Sequence, residues 1–200
     1  MRYPRFLPIL GSTLVAPLAV WLAIAEPVHG QSSSYCLSEN QNLSVRRPQL
    51  TAIFIGAAQG TIAEVCANLP GALVSISGTG RLTLLKRQSD VRVEFYRQGV
   101  RAGLPREIGG VAIDYFTNGS RAGKVQEIGQ LEFDYFTQGE PTSQLRQIDN
   151  LDLEYFQRGS DAGRLRSISN VRIEYSSTGQ IIEAEGNLSQ VELLIVPTAL

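Results

Sequence analysis

From Val91 onward the chain can be written in lines of twenty residues that begin VRVEFYRQG, VAIDYFTNG, LEFDYFTQG, LDLEYFQRG and VRIEYSSTG. An internal repeat of this period constrains the fold more than any composition figure, because each unit must bury its apolar side against its neighbours. Position one is Val91, Val111, Leu131, Leu151 and Val171, and position three is Val93, Ile113, Phe133, Leu153 and Ile173. Position five is Phe95, Tyr115, Tyr135, Tyr155 and Tyr175. Apolar side chains at one, three and five, alternating with polar ones, predict a half-buried strand. Position nine is always glycine, from Gly99 to Gly179, which fits a turn at positive φ. Asn118-Gly119 reads as a hairpin signal.

The second half of each unit, as in GKVQEIGQ from Gly123 or GRLRSISN from Gly163, reads as a short strand followed by a tight turn. Its apolar residues sit three apart, as in Val125 and Ile128, so a bulge or bend is required. GRLTLLK from Gly80 resembles the same half-unit, and ALVSISG before it resembles a degenerate first strand. Downstream, GQIIEAEGN and VELLIV are atypical, as terminal repeats must be. Position four holds Glu94, Asp114, Asp134, Glu154 and Glu174. A one-coil-per-unit solenoid would stack these like charges about 4.8 Å apart, whereas a meander of hairpins spaces them with arginines between. The meander is the expected architecture: mainly β, an elongated sheet or open barrel of tandem hairpins with a small disulfide-closed N-terminal segment.

Arg2 and Arg5 precede an apolar run of about twenty residues broken by Pro8, Gly11 and Pro17, the layout of a secretory signal peptide over 1–30. Cleavage is expected after Ala25 or Gly30, with a retained membrane anchor as the alternative. Cys36 and Cys66 in an exported chain are expected to form a disulfide. Within the Cys-containing segment 31–80, TAIFIG reads as a short strand. TIAEVCANLPG has Thr61 and Glu64 at capping-box spacing and a Pro70-Gly71 stop, which predicts two helical turns over 62–69. The β-repeat domain then occupies 81–200.

The chain has 18 Lys+Arg against 19 Asp+Glu and a formal charge of −1, so no basic footprint for nucleic acid is present. Met1, Trp21 and His29, the single examples of their kinds, all lie in the leader. Its removal would leave no His for a catalytic dyad or a metal site. Neither an EF-hand loop nor a glycine-aspartate nonapeptide occurs, and no cofactor or metal is expected. The recurring acids read as partners for arginines rather than as a glycosidase pair. Strands of about six residues are short for a membrane barrel. The candidate ligand-binding residues are the position-six aromatics Tyr96, Phe116, Phe136 and Phe156, which would face away from the core beside Asp114, Asp134 and Glu154. Such a row can stack sugar rings or grip a partner chain; alternatively, each ring folds over its own loop.

GKVQEIGQLEFDY and GRLRSISNVRIEY resemble the secreted β-repeat proteins of bacteria and are similar to the tyrosine-containing YD-repeat class over residues 80–190, with Tyr-Phe where that class has Tyr-Asp. The resemblance implies an exported protein, periplasmic or extracellular. The expected role is structural or protein-interacting in the cell envelope, without enzymatic activity, and the alternative is a glycan-binding module. No membrane span is expected once the leader is removed, and an exposed strand edge is a candidate for self-association.

Overall fold

The computed structural model describes residues 34–37, 43–139, 141–188 and 191–197. The leader and its cleavage points lie outside them. Ser33–Leu200 forms one compact unit, and among the described residues no helix is long and apolar enough to cross a membrane. Four strands come first: β1 (Gln49–Gly56), β2 (Thr61–Leu69), β3 (Ala72–Ser77) and β4 (Leu82–Arg87). The repeat supplies β5 (Val93–Phe95), β6 (Pro105–Ile108), β7 (Val111–Tyr115), β8 (Val125–Ile128), β9 (Leu131–Tyr135), β10 (Leu145–Ile148), β11 (Leu151–Tyr155), β12 (Leu165–Ile168), β13 (Val171–Tyr175) and β14 (Ile181–Glu185). The chain crosses back as β15 (Glu192–Val196).

Strands β5 to β14 follow one another in a ten-stranded antiparallel sheet whose spatial order is the chain order. This is the meander, and a short strand separates each pair of position-four acids. The sheet is open. The other five strands make a second open sheet in the order β15-β1-β2-β3-β4, with β15 parallel to β1. Thus ALVSIS and LTLLKR form a hairpin, but in the five-stranded layer rather than as a further unit of the meander.

The two layers share one core. Ile53, Ile55, Val65, Val74 and Ile76 from the smaller sheet pack with Ile113, Ile128, Phe133, Ile148, Leu153 and Ile168 from the larger. Complete burial of each aliphatic side chain is worth about 1.5–3 kcal/mol. In β7 and β9, as the alternation requires, positions one, three and five face this core.

The five-stranded sheet is covered on its other face too. Ala52, Phe54, Cys66, Leu73 and Val196 form a second cluster with Cys36, and Tyr35 stacks on Phe54 at 5.4 Å. The Cys36–Cys66 disulfide, with Cα atoms 5.7 Å apart, holds this cover in place. The Tyr35 hydroxyl donates to the Pro197 carbonyl at 2.7 Å. The helix expected over 62–69 is instead strand β2. Burial on both faces replaces alternation with a nearly continuous apolar run, which periodicity alone cannot distinguish from a buried helix. Glu64 does not cap anything: its carboxylate accepts from the Ser34 hydroxyl at 2.7 Å and the Cys36 N–H at 3.4 Å. Pro70-Gly71 is the two-residue turn into β3, with Gly71 at φ 72°.

The position-nine glycines do adopt positive φ, 67° at Gly119 for example. However, Asn118-Gly119 is no two-residue hairpin. Tyr115 pairs with Val125, so nine residues connect the strands, and Gly119 opens a short 3-10 turn, Gly119–Arg121. The loop closes through Phe116 N–H to Lys124 O (3.0 Å) and Gly123 N–H to Phe116 O (2.8 Å), a pattern repeated at Tyr96, Phe136 and Phe156. The tight turns lie at the other end, as at Gly129-Gln130.

The required bulge is present in every unit. Register skips Arg106, Gln126, Arg146, Arg166 and Ile182, so that Val125 and Ile128, three apart, both face inward. The residue before each skipped position donates its N–H to a turn of the other sheet: Val125 to Gly80 O, Leu145 to Gly78 O, Leu165 to Gly60 O and Ile181 to Ala57 O, over 2.6–3.3 Å. The first unit has Pro105 at this position, a residue with no N–H to satisfy.

Candidate functional site: the outer face of the meander

Because positions two and four point away from the core, the outer face of the ten-stranded sheet collects the charged residues. Asp114 is met by Arg101 Nη1 at 2.5 Å and by the Tyr96 hydroxyl at 3.2 Å. Asp134 is met by Arg121 Nη1 at 2.6 Å and Arg146 Nε at 2.9 Å, and its own carboxylate accepts from the Tyr135 N–H at 2.8 Å. Glu94 pairs with Arg92 at 3.2 Å and with Arg106. Glu154 accepts from the Ser167 hydroxyl at 3.2 Å. Partial burial pushes the Asp134 carboxyl up, but the Tyr135 N–H and the two guanidiniums outweigh it and hold the group below the usual carboxylate range.

The position-six rings do not face away from the core. Tyr96, Phe116, Phe136 and Phe156 are half-buried, and the first three pack against the main core. Each ring sits edge-on to the position-five tyrosine of the following unit. Centroids are 6.1 Å apart for Tyr96–Tyr115 and Phe116–Tyr135, 5.6 Å for Phe136–Tyr155 and 6.0 Å for Phe156–Tyr175. The reason is local. Position six has left the strand, its backbone is held by the loop, and the nearest apolar surface is the neighbouring tyrosine. Burial raises the phenols of Tyr115, Tyr135, Tyr155 and Tyr175 well above the ordinary value.

Two residues missed in the sequence tie rings to acids. Arg101 lies 4.2 Å over the Tyr96 ring while pairing with Asp114, and Arg121 lies 4.2 Å over Phe116 while pairing with Asp134. Both occupy position eleven of their units, a signal that aligning the repeats would have exposed. Position eleven then becomes Pro141 and Asp161. Phe136 and Phe156 therefore carry no arginine cap among the described residues, and Asp161 pairs instead with Arg164 at 2.7 Å. The outer face thus changes character along its length.

Shallow clefts lie between units. One of about 320 Å³ is bounded by Phe116, Arg121, Glu127, Glu132 and Asp134, and another of about 420 Å³ by Tyr96, Arg106, Asp114 and Glu127. The cleft between the two sheets, about 760 Å³, has Asp149 as its one acidic or basic lining residue. Cys36, Glu64 and Cys66 form a cluster of metal-ligand types, but both sulfurs are spent in the disulfide. Compared with family models, curated proteins and solved structures, the chain matches none of them.

Proposed function

We propose that the chain is an exported, non-enzymatic β-repeat protein with a structural or protein-interaction role in a cell envelope, periplasmic or extracellular. One observation carries this reading: the acids of the outer face are engaged by neighbouring side chains, and in two successive units acid, guanidinium and ring hold one another. Such a surface is suited to rigidity and to partner contact, whereas catalysis needs a singular group poised for reaction. The leader-like first thirty residues and the resemblance to secreted β-repeat proteins point the same way. A second reading, glycan binding, is favoured by Phe136 and Phe156, which are half-buried and uncapped by arginine.

The test is retention of the purified protein on insoluble cell-wall glycans, beside capture of envelope proteins by the same material. Under the first reading the glycans retain nothing and the captured proteins are displaced by excess soluble protein. Retention of the wild type, unchanged in Phe116→Ala but lost in a folded Phe136→Ala/Phe156→Ala variant, would instead establish glycan binding at the uncapped rings.

A further inference from the structure

The two edges of the meander are unlike. Strand β5 ends one side and β14 the other, and a strand edge presents unpaired backbone groups that template pairing with another chain. The β5 edge is basic. A groove of about 810 Å³ along it is lined by Arg92, Arg97, Arg101 and Arg106, with Glu94 as its acid. The β14 edge is acidic: strand β14 carries Glu183 and Glu185, its neighbour β13 carries Glu174, and no Lys or Arg follows Arg172 in the chain. Glu183 stands opposite Glu174 in register, a like-charge pair, and it meets no cation among the described residues.

In contrast to their charge, the two ends are alike in exposing apolar residues. Phe95 and Val100 are 54% and 52% exposed at the β5 end, and Ile182 on β14 is 64% exposed. Phe95 occupies position five, which every later unit fills with a tyrosine covered by the preceding unit's ring or strand. It is bare because no unit precedes it.

From the charge complementarity of these edges we infer that the partner for each is a second copy of this chain, docked head to tail. Strand β14 takes the second-strand place of its unit and β5 the first-strand place, so β14 of one copy beside β5 of the next continues the alternation of first and second strands along the sheet. Each interior turn pairs position seventeen with position two of the next unit, as in Glu127 with Glu132 and Ser167 with Arg172. In the same register Glu183 faces Arg92 of the second copy, and the like-charge pair with Glu174 gains a cation. The contact joins two different surfaces and leaves a free edge at each end, so it builds an open ribbon rather than a closed dimer. The assembly rests on the structural reading of the protein and names its partner.

Sedimentation of the purified full chain over a range of concentrations and salt tests this. The expected result is a mass that grows with concentration without a plateau and falls in high salt. Arg92→Glu and Glu183→Arg, both at exposed positions, are each expected to weaken association about tenfold. An equimolar mixture of the two variants restores opposite charges at every junction and should recover it, with circular dichroism confirming that both are folded. A monomer at all concentrations, a fixed dimer, or a mixture as weak as its components would overturn the assembly. A monomer that still captures an envelope partner would do so while leaving the proposed role standing.

Discussion

The five-stranded sheet and the ten-stranded meander bury comparable side chains in one core but solve the problem of their outer faces differently. The smaller sheet is covered a second time, by the segment that carries Tyr35 and Cys36, and a covalent link holds the cover down. The larger sheet leaves its outer face to water and fills it with arginines that bridge one unit to the next. One layer is therefore stabilised by closure and the other by repetition. Substitutions in the first should act through the whole fold, while those on the second should act unit by unit.

The largest effect is expected at alkaline pH, where the comparison turns on the buried phenols of the meander. Tyr115, Tyr135, Tyr155 and Tyr175 have their pKa values raised by burial. Above about pH 10 the unfolded chain releases these protons while the folded one keeps them, so stability falls as pH rises. Tyrosinate absorbance should appear together with loss of circular dichroism. Tyr155→Phe removes a buried hydroxyl that has no hydrogen-bond partner among the described residues and should move the transition to higher pH. An unchanged transition would mean that this phenol is accessible to water.

Which of these features the sequence disclosed follows from the same contrast. Strands with one wet face keep their alternation, so Val111, Ile113 and Tyr115 could be assigned to the core from sequence. Where Val65 and Cys66 are both buried, on opposite faces of β2, the signal disappears, and a helix is what the remaining pattern suggests. The disulfide was legible because two cysteines admit one pairing. The ring–tyrosine contacts were not, since Phe116 and Tyr135 meet across units, and the repeat states which residues recur without stating which neighbour they touch. Arg101 and Asp114, thirteen residues apart, escaped for the same reason.

Replacing both cysteines by serine sharpens the closure side of the comparison. The cross-link joins residues thirty apart, and its loss should cost about 3 to 4 kcal/mol in urea unfolding. Because the layers share a core, hydrogen exchange should show both sheets losing protection together. Loss confined to β1, β2 and β3 would break the single-core picture.

The smallest effects are expected on the outer face. Arg101→Ala and Arg121→Ala should each cost about 0.5 to 1 kcal/mol, the sum of a partly exposed ion pair and a cation–π contact, and the two should be nearly additive. Arg166→Ala, at an exposed bulge position, should fall within about 0.5 kcal/mol of the wild type. A larger loss there, or strong coupling between Arg101 and Arg121, would show that the units are not independent.

The bonds from Val125, Leu145, Leu165 and Ile181 to four turn carbonyls bear on how such a protein can lengthen. The turns of the five-stranded layer act as a ruler with four marks, set by Ala57, Gly60, Gly78 and Gly80, and each mark accepts one repeat. A duplicated unit inserted among them would find no fifth mark, and an inward N–H left bare costs about 1–3 kcal/mol. Gene duplication alone therefore adds units only where proline removes the donor, as Pro105 does in the unit that overhangs the ruler. Growth beyond that requires the opposing layer to gain a turn of its own.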